Sequence, residues 1–223
     1  MSPARHVRSV STVPPSGSPV ASQEPHERPG VHPDPPEDLA QRQLPLEGMR
    51  GPWCRIHRDH RGPIFFGRKI ENRFDAPDGG YGVMYAGDDE HCAFIETVGW
   101  HTGENVVGEK DLAKRKLARV RPTRPLQLVD LTGRGLARVG ADGRLLTGEH
   151  SVARRWSAAF RGHPSRPDGI YYRARHDPSR CSVALYEHVA EELEVEDAGG
   201  LMALRNRTML SNILDEYGFG LEP

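Results

Sequence analysis

The chain has 223 residues and a net charge of −1, which is enough length for one domain with a tail and leaves no global field to attract nucleic acid. Hydrophobic residues make up 36% of it, but no Phe, Trp or Tyr precedes Trp53, and ten of the nineteen prolines lie at or before Pro45. No apolar run approaches the length of a membrane span, so we predict a cytoplasmic protein that does not enter a membrane.

Cysteines and histidines exclude the common metal and disulfide frameworks. Cys54, Cys92 and Cys181 are odd in number and far apart, which is typical of reduced thiols in the cytosol. The eleven histidines form no His-Glu-x-x-His pattern and have no Cys-x-x-Cys partner, so we predict no metal site. The chain also lacks a three-glycine dinucleotide fingerprint and a phosphate-cradling loop that ends in Gly-Lys-Ser/Thr.

The chain divides into two regions by composition. Residues 1–49 are rich in Pro, Ser, Glu and Gln and contain no aromatic residue, so we predict a disordered tail that cannot repay the entropy of ordering. Residues 50–223 contain every aromatic residue and are predicted to form one folded domain.

Strands and helices follow one another in no strict alternation. The predicted elements are, in chain order, a strand at 53–58, a loop at 61–80, a strand at 82–86, a helix at 90–100 that Asp88 and Asp89 can cap, a helix at 109–120, a strand at 126–131, a short helix or turn at 132–143, a helix at 149–161, strands at 169–175 and 182–188, and a closing helix with Leu210, Ile213, Leu214 and Tyr217 on one stripe. This order favours the α+β class over a doubly wound sheet.

Two charged stretches of opposite sign lie far apart in the chain. The basic segment 110–124 has no interleaved aromatic residue, so we interpret it as a solvated helix face and do not predict nucleic-acid binding. The acidic stretch 187–197 is its opposite, and we expect the two to offset each other.

One stretch combines a cation, an aromatic ring and a carboxylate around a single strand end. Arg73 opens a turn-rich loop, Tyr85 ends the next strand, and Glu96 lies on the helix that follows. That set suits a ligand with phosphates, a ribose and a flat ring. Arg73 is either a solvated loop residue or a pyrophosphate contact, and Tyr85 is either a core residue or a ring that stacks on a base or on nicotinamide.

Arg55 and Glu96 each carry a charge among apolar neighbours. Arg55 lies between Cys54 and Ile56, where a guanidinium is costly unless it meets an anion. A structural salt bridge and a phosphate or ribose clamp both remain open for it. Glu96 is either paired with Arg55 or Arg73, or it holds a ribose hydroxyl and stabilises positive charge that develops at C1′. Both roles are compatible.

The same residues resemble the RES domain, a family named for an arginine, a glutamate and a serine. The matching pieces are, in chain order, Arg55; Arg73-Phe74-Asp75 with Gly79-Gly80; Val83-Met84-Tyr85; Ala93-Phe94-Ile95-Glu96; Arg155-Trp156-Ser157-Ala158; Asp168-Gly169-Ile170-Tyr171-Tyr172; Arg175-His176-Asp177; and Val183-Ala184-Leu185-Tyr186. The resemblance implies that residues 50–223 are a RES domain. It also implies a fold similar to ADP-ribosyltransferases, with a split mixed α+β sheet that is flanked by helices and has a cleft for NAD.

The resemblance further implies an NAD-degrading toxin that acts by hydrolysis or phosphorolysis of the nicotinamide N-glycosidic bond. NAD is then the substrate, and no separate cofactor is expected. Arg55 would contact the phosphates or ribose, Tyr85 would shape the nicotinamide pocket, and Glu96 would orient the ribose as the third catalytic position. Arg73 and Arg175 would bind substrate. A cognate antitoxin and a second copy of the chain are the candidate protein partners.

Ala174 stands where the family serine is expected, at a substrate-binding position. A methyl group neither donates nor accepts a hydrogen bond. Either Ser157, Ser179 or Ser182 substitutes for it, or activity is reduced, or the serine position is displaced by a residue. Two alternatives to NAD degradation therefore stay open. One is a mono-ADP-ribosyltransferase that modifies a protein, and the other is a non-catalytic module that binds NAD or ADP-ribose, which Ala174 favours.

Overall fold

The computed structural model describes Gly30, residues 32–100, Gly103 and residues 105–223. The strands in these residues are β1 (Leu46–Met49), β2 (Trp53–Arg58), β3 (Val83–Gly87), β4 (Val106–Gly108), β5 (Arg115–Pro122), β6 (Leu126–Asp130), β7 (Gly169–Arg173), β8 (Cys181–Tyr186), β9 (Leu193–Gly200) and β10 (Gly220–Glu222). The α-helices are α1 (Glu90–Thr97), α2 (Glu109–Leu112), α3 (Arg134–Val139), α4 (Arg144–Thr147), α5 (His150–Arg161) and α6 (Arg207–Tyr217).

Most strands belong to one mixed sheet. Its eight strands lie in the order β1-β6-β7-β8-β3-β2-β5-β9. β6 and β7 are parallel, and every other neighbouring pair is antiparallel. β4 and β10 form a separate parallel pair. A mixed sheet with flanking helices confirms the predicted α+β class. None of the described helices is both long and apolar enough to cross a bilayer.

The sheet is nearly split between β3 and β2. β3 pairs with β8 along its whole length, from Val83↔Tyr186 to Gly87↔Ser182, but it pairs with β2 only at Cys54↔Gly87. Beyond that single pair the two strands separate. Their backbone groups there must bond to something other than each other, so side chains can enter the gap.

Both faces of the sheet are covered by core. On β3, Tyr85 faces a cluster that contains Trp156 and Phe160 of α5, while its neighbour Met84 faces a cluster with Trp53 on the opposite side. Successive side chains of a strand point to opposite faces, which accounts for this division. The split therefore lies between two packed layers.

α1 packs unusually close to β3. A Cβ at Gly87 would lie only 2.7 Å from the Cβ of Cys92, so this approach requires glycine. The Asp89 side chain accepts the backbone N–H of Cys92 at 2.8 Å, which confirms the predicted cap at the start of α1. The Cys92 thiol donates to the Cys181 carbonyl at 3.1 Å and ties α1 to β8 as well. These contacts fix the direction of the helix that carries Glu96.

The predicted helix over 109–120 is wrong. α2 ends at Leu112, and the rest of the segment forms β5, which pairs with β2 on one side and β9 on the other. Pairing on both edges outweighs the helical preference of the local sequence. The basic segment is therefore not a solvated helix face. Arg119 forms ion pairs with Glu90 at 2.7 Å and Glu196 at 3.4 Å, so the acidic stretch does offset it, as a neighbouring strand.

The prediction of a disordered tail over 1–49 is wrong for residues 32–49. β1 pairs with β6, Leu39 and Leu44 are buried in the core, and the Trp156 indole donates to the Pro33 carbonyl at 3.0 Å. Averaged composition concealed these few leucines, which bury enough apolar surface to order a short segment against an existing sheet. Residues 1–29 and 31 of the predicted tail lie outside the described residues.

Candidate active site

Tyr85 stands at the split in the sheet and contacts both sides of it. Its carbonyl accepts a hydrogen bond from Arg55 at 2.5 Å, while its hydroxyl donates to Asp75 at 2.9 Å and accepts the Phe74 N–H at 2.9 Å. Burial, and then the neighbouring Asp75, raise the pKa of Tyr85 well above its ordinary value. The phenol is therefore neutral, and its hydrogen bonds hold the loop between β2 and β3.

Asp75 shapes the turn that carries Arg73. One carboxylate oxygen accepts the N–H groups of Glu71 at 2.9 Å and Asn72 at 2.7 Å, and the other accepts the Tyr85 hydroxyl. An aspartate that binds nearby backbone N–H groups is a common way to close a tight turn. Sequence reasoning did not single out Asp75, although its place in a Gly- and Pro-rich loop was a usable turn signal.

Arg73 is buried, and the prediction of a solvated loop arginine does not hold. The side chain donates from Nη1 to the carbonyls of Leu145 at 3.3 Å and Gly148 at 2.9 Å. Its Nη2 is buried and has no hydrogen-bond partner among the described residues. Burial, and then the positive charge of Arg175, lower the pKa of Arg73. A buried guanidinium with an unused donor is a place where an anion is stabilised.

Arg55 fills the gap on the β2 side of the split. Besides the Tyr85 carbonyl, it donates from Nη2 to the Phe65 carbonyl at 3.4 Å, and its Nε is buried without a partner. Burial lowers the pKa of Arg55 to about 10, which still leaves it charged at neutral pH. No described carboxylate forms an ion pair with it, so the salt-bridge alternative for Arg55 is wrong.

Glu96 is held by a histidine. Its Oε1 accepts the backbone N–H of His176 at 2.8 Å and lies 3.1 Å from the Nδ1 of the same residue. Its Oε2 has no partner in the described part of the chain, and the side chain is 24% exposed. The expected pairing of Glu96 with Arg55 or Arg73 is therefore wrong. His176 was not predicted as a site residue, because the contact spans 80 positions and no local pattern signals it.

The structure brings several predicted residues into one electrostatic neighbourhood. The charge on Arg73 is disfavoured by its burial and by Arg175, and is favoured by Glu96 and Tyr85. Arg55 is linked to this group only through the Tyr85 carbonyl, and it makes no contact with Glu96 among the described residues. The crevice is thus a cluster of Arg73, Arg175 and Glu96 behind Tyr85, with Arg55 at its β2 side.

Ala174 is buried directly after β7, and the hydroxyls considered as substitutes point elsewhere. Their contacts are Phe74 O for Ser157 (2.7 Å), Asp177 Oδ1 for Ser179 (2.5 Å) and Cys92 Sγ for Ser182 (3.3 Å). None of these hydroxyls contacts Glu96 or an arginine of the crevice among the described residues. The serine position is therefore not replaced by another serine.

A separate cavity of about 520 Å³ lies at the ends of β3 and β7. Its lining residues are Asp88, Asp89, Thr132, Tyr171, Arg173, Ser179, Arg180 and Cys181. None of the predicted site residues lines it, and the convergence of charges favours the crevice around Glu96 as the reactive site. Over the described stretches, no cluster of three His, Cys, Asp or Glu side chains has the arrangement of a metal site.

Comparison with known proteins places this fold and these residues in one family. Residues 52–204 match the family model of the RES domain. The probable toxin y4kH of Sinorhizobium fredii is 29% identical over 120 residues, which cover 52% of this chain and 89% of that protein. The crystal structure of the M. tuberculosis MbcT–MbcA toxin–antitoxin complex contains a chain of similar fold, with a TM-score of 0.58 and 16% identity over 81% of this chain and 98% of that one. The family model covers more than half of the sequence, and the chain therefore belongs to the RES-domain family.

Proposed function

We propose that this chain is the toxin of a toxin–antitoxin pair and that it cleaves the bond between nicotinamide and ribose in NAD, by hydrolysis or phosphorolysis. The named relatives support the first part, since one is a probable toxin and the other was solved as a toxin–antitoxin complex. A cognate antitoxin that binds this domain is part of the proposal.

The observation that carries the chemical part is the state of Glu96. The carboxylate is fixed through Oε1 by two donors of His176, and Oε2 is left to meet a ligand. Beside it, Arg73 keeps a buried N–H without a partner, and Arg55 does the same at the split. An unsatisfied buried donor costs about 1–3 kcal/mol, so a ligand that supplies acceptors there gains that free energy. A pyrophosphate has such acceptors, and a ribose hydroxyl can donate to Glu96.

The reaction asks little more of the protein than orientation and charge. The C1′–nitrogen bond lengthens, its electron pair moves onto the nicotinamide nitrogen, and the positive charge of the pyridinium passes to the ribose. An anion at Glu96 stabilises that charge, while the arginines hold the pyrophosphate in place. Water or inorganic phosphate then forms the new bond to C1′, and the attacking water loses a proton. Nicotinamide leaves neutral, so no general acid is needed.

A second candidate is favoured by one observation. Ala174 is a buried methyl group, and the serine hydroxyls near it are engaged elsewhere. A crevice that keeps its arginines and carboxylate but lacks a hydroxyl can bind NAD or ADP-ribose without turnover.

Incubation of the full chain with NAD tests the proposal and separates the candidates. We expect nicotinamide release, with ADP-ribose as the product if water attacks, or its 1″-phosphate if release depends on added inorganic phosphate. Binding of ADP-ribose in calorimetry without nicotinamide release selects the binding module. Transfer of label from adenylate-labelled NAD to a protein selects an ADP-ribosyltransferase. A chain that neither binds nor cleaves NAD refutes the proposal.

A further inference from the structure

Tyr172 is a buried phenol whose place in the crevice has no role so far. It lies on β7, is only 7% exposed, and its ring packs edge-on against Phe74 with the ring centres 4.9 Å apart. Glu96 and Arg73 both act electrostatically on its hydroxyl, so that hydroxyl lies within the same crevice. Phe74 belongs to the loop that carries Arg73, and Tyr172 therefore borders that loop and α1 together.

We infer that Tyr172 is a further substrate-contacting residue, whose hydroxyl binds a hydroxyl of the nicotinamide ribose next to Glu96. This inference rests on the proposed function and extends it to one more residue. Tyr172 faces the Glu96 side of the sheet. Tyr171, its neighbour, faces the opposite side and donates to Asp88 at 2.8 Å.

The chemistry of a ribose requires a second polar partner. Its diol presents two adjacent hydroxyls, and the single oxygen that Glu96 leaves open can accept from one of them. The Tyr85 hydroxyl already donates to Asp75 and accepts from Phe74, so it has no proton to offer. Ala174, two positions beyond Tyr172 along the chain, offers only a methyl group.

Tyr172 keeps the proton that such a contact needs. Burial, and then the negative charge of Glu96, raise the pKa of Tyr172, so the phenol is neutral at any physiological pH. Ser182, its partner in the β7–β8 register, supplies a hydrogen bond toward the phenol oxygen, which leaves the phenol proton to be donated. A neutral phenol beside a carboxylate can donate to one ribose oxygen while Glu96 accepts from the other.

The test compares two phenylalanine variants of adjacent tyrosines. We expect Tyr172→Phe to lower kcat/KM for nicotinamide release by about tenfold or more, the usual worth of one hydrogen bond to a substrate, and Tyr171→Phe to leave it within about twofold of the wild type. NAD analogues that lack the 2′- or the 3′-hydroxyl of the nicotinamide ribose then report the contact itself. With one of them, Tyr172→Phe should cost almost nothing further, because the partner of the phenol is already gone.

The outcomes separate this inference from the proposed function. If the wild type cleaves NAD and Tyr172→Phe keeps its full activity, or if its loss persists with both deoxy analogues, the substrate contact is refuted while NAD cleavage stands. If the wild type neither binds nor cleaves NAD, the proposed function fails and this inference fails with it. Circular dichroism and thermal melting check the fold. Tyr172→Met, which fills a similar volume without a hydroxyl, serves in the same way should the phenylalanine variant not fold.

Discussion

Replacing Glu96 by glutamine removes the charge of the crevice while sparing its hydrogen bonds. The amide oxygen of glutamine can accept the two donors of His176 as Oε1 does, at 2.8 and 3.1 Å, so the side chain keeps its place. Two unit charges about 4 Å apart attract by about 4 kcal/mol at an effective dielectric constant of 20. Because the ribose carries only part of a unit charge in the transition state, we expect a loss of about 3 kcal/mol, or a fall in kcat of about a hundredfold.

The assay is nicotinamide release at saturating NAD, with Glu90→Gln as the matched control. Glu90 lies on the same helix but pairs with Arg119 at 2.7 Å, away from the crevice, so its replacement should cost some stability and leave kcat unchanged. A folded Glu96→Gln protein whose kcat stays within about threefold of the wild type would show that the anion does not stabilise the transition state.

Three further predictions follow from contacts away from Glu96. Arg73→Lys should raise the KM for NAD by about tenfold in steady-state assays, because an ammonium lacks the planar fork of donors; an unchanged KM would remove Arg73 from the binding site. Asp168→Asn should lower the free energy of unfolding in urea at pH 7 by about 3 kcal/mol, since it breaks a pair with Arg124. Burial alone would raise the pKa of Asp168, but the hydrogen bonds from Arg124 hold it below its ordinary value, so its stabilisation is complete above about pH 4 and is lost as pH falls through the folded pKa. The difference between wild type and variant should vanish there, and a difference that persists in acid would contradict the assignment. Deletion of residues 1–49 should lower the melting temperature, because it removes β1 and the buried Leu44, and an unchanged melting temperature would return this segment to a passive tail.

The sequence was sufficient for elements whose signals are local. The strand at 53–58 and the start of α1 at its Asp89 cap were predicted correctly, since apolar runs and capping residues act over a few positions. β5 and β9 were not predicted, because their charged residues become strand-compatible only when the two strands lie side by side. β1 was missed for the same reason, since four residues form a strand only against the existing edge of β6.

The site follows the same division between residue and partner. An arginine in a strand and a glutamate on an apolar helix must each be compensated, and the sequence therefore indicated Arg55 and Glu96. Which groups compensate them depends on the topology. Separation of β3 from β2 leaves the Tyr85 carbonyl to Arg55, and the β7–β8 connection brings His176 to Glu96. Because these protein groups satisfy each charge only in part, Oε2 of Glu96 and the buried N–H groups of the arginines remain for a ligand. The family resemblance named the charges, but only the fold shows that they are left incompletely paired.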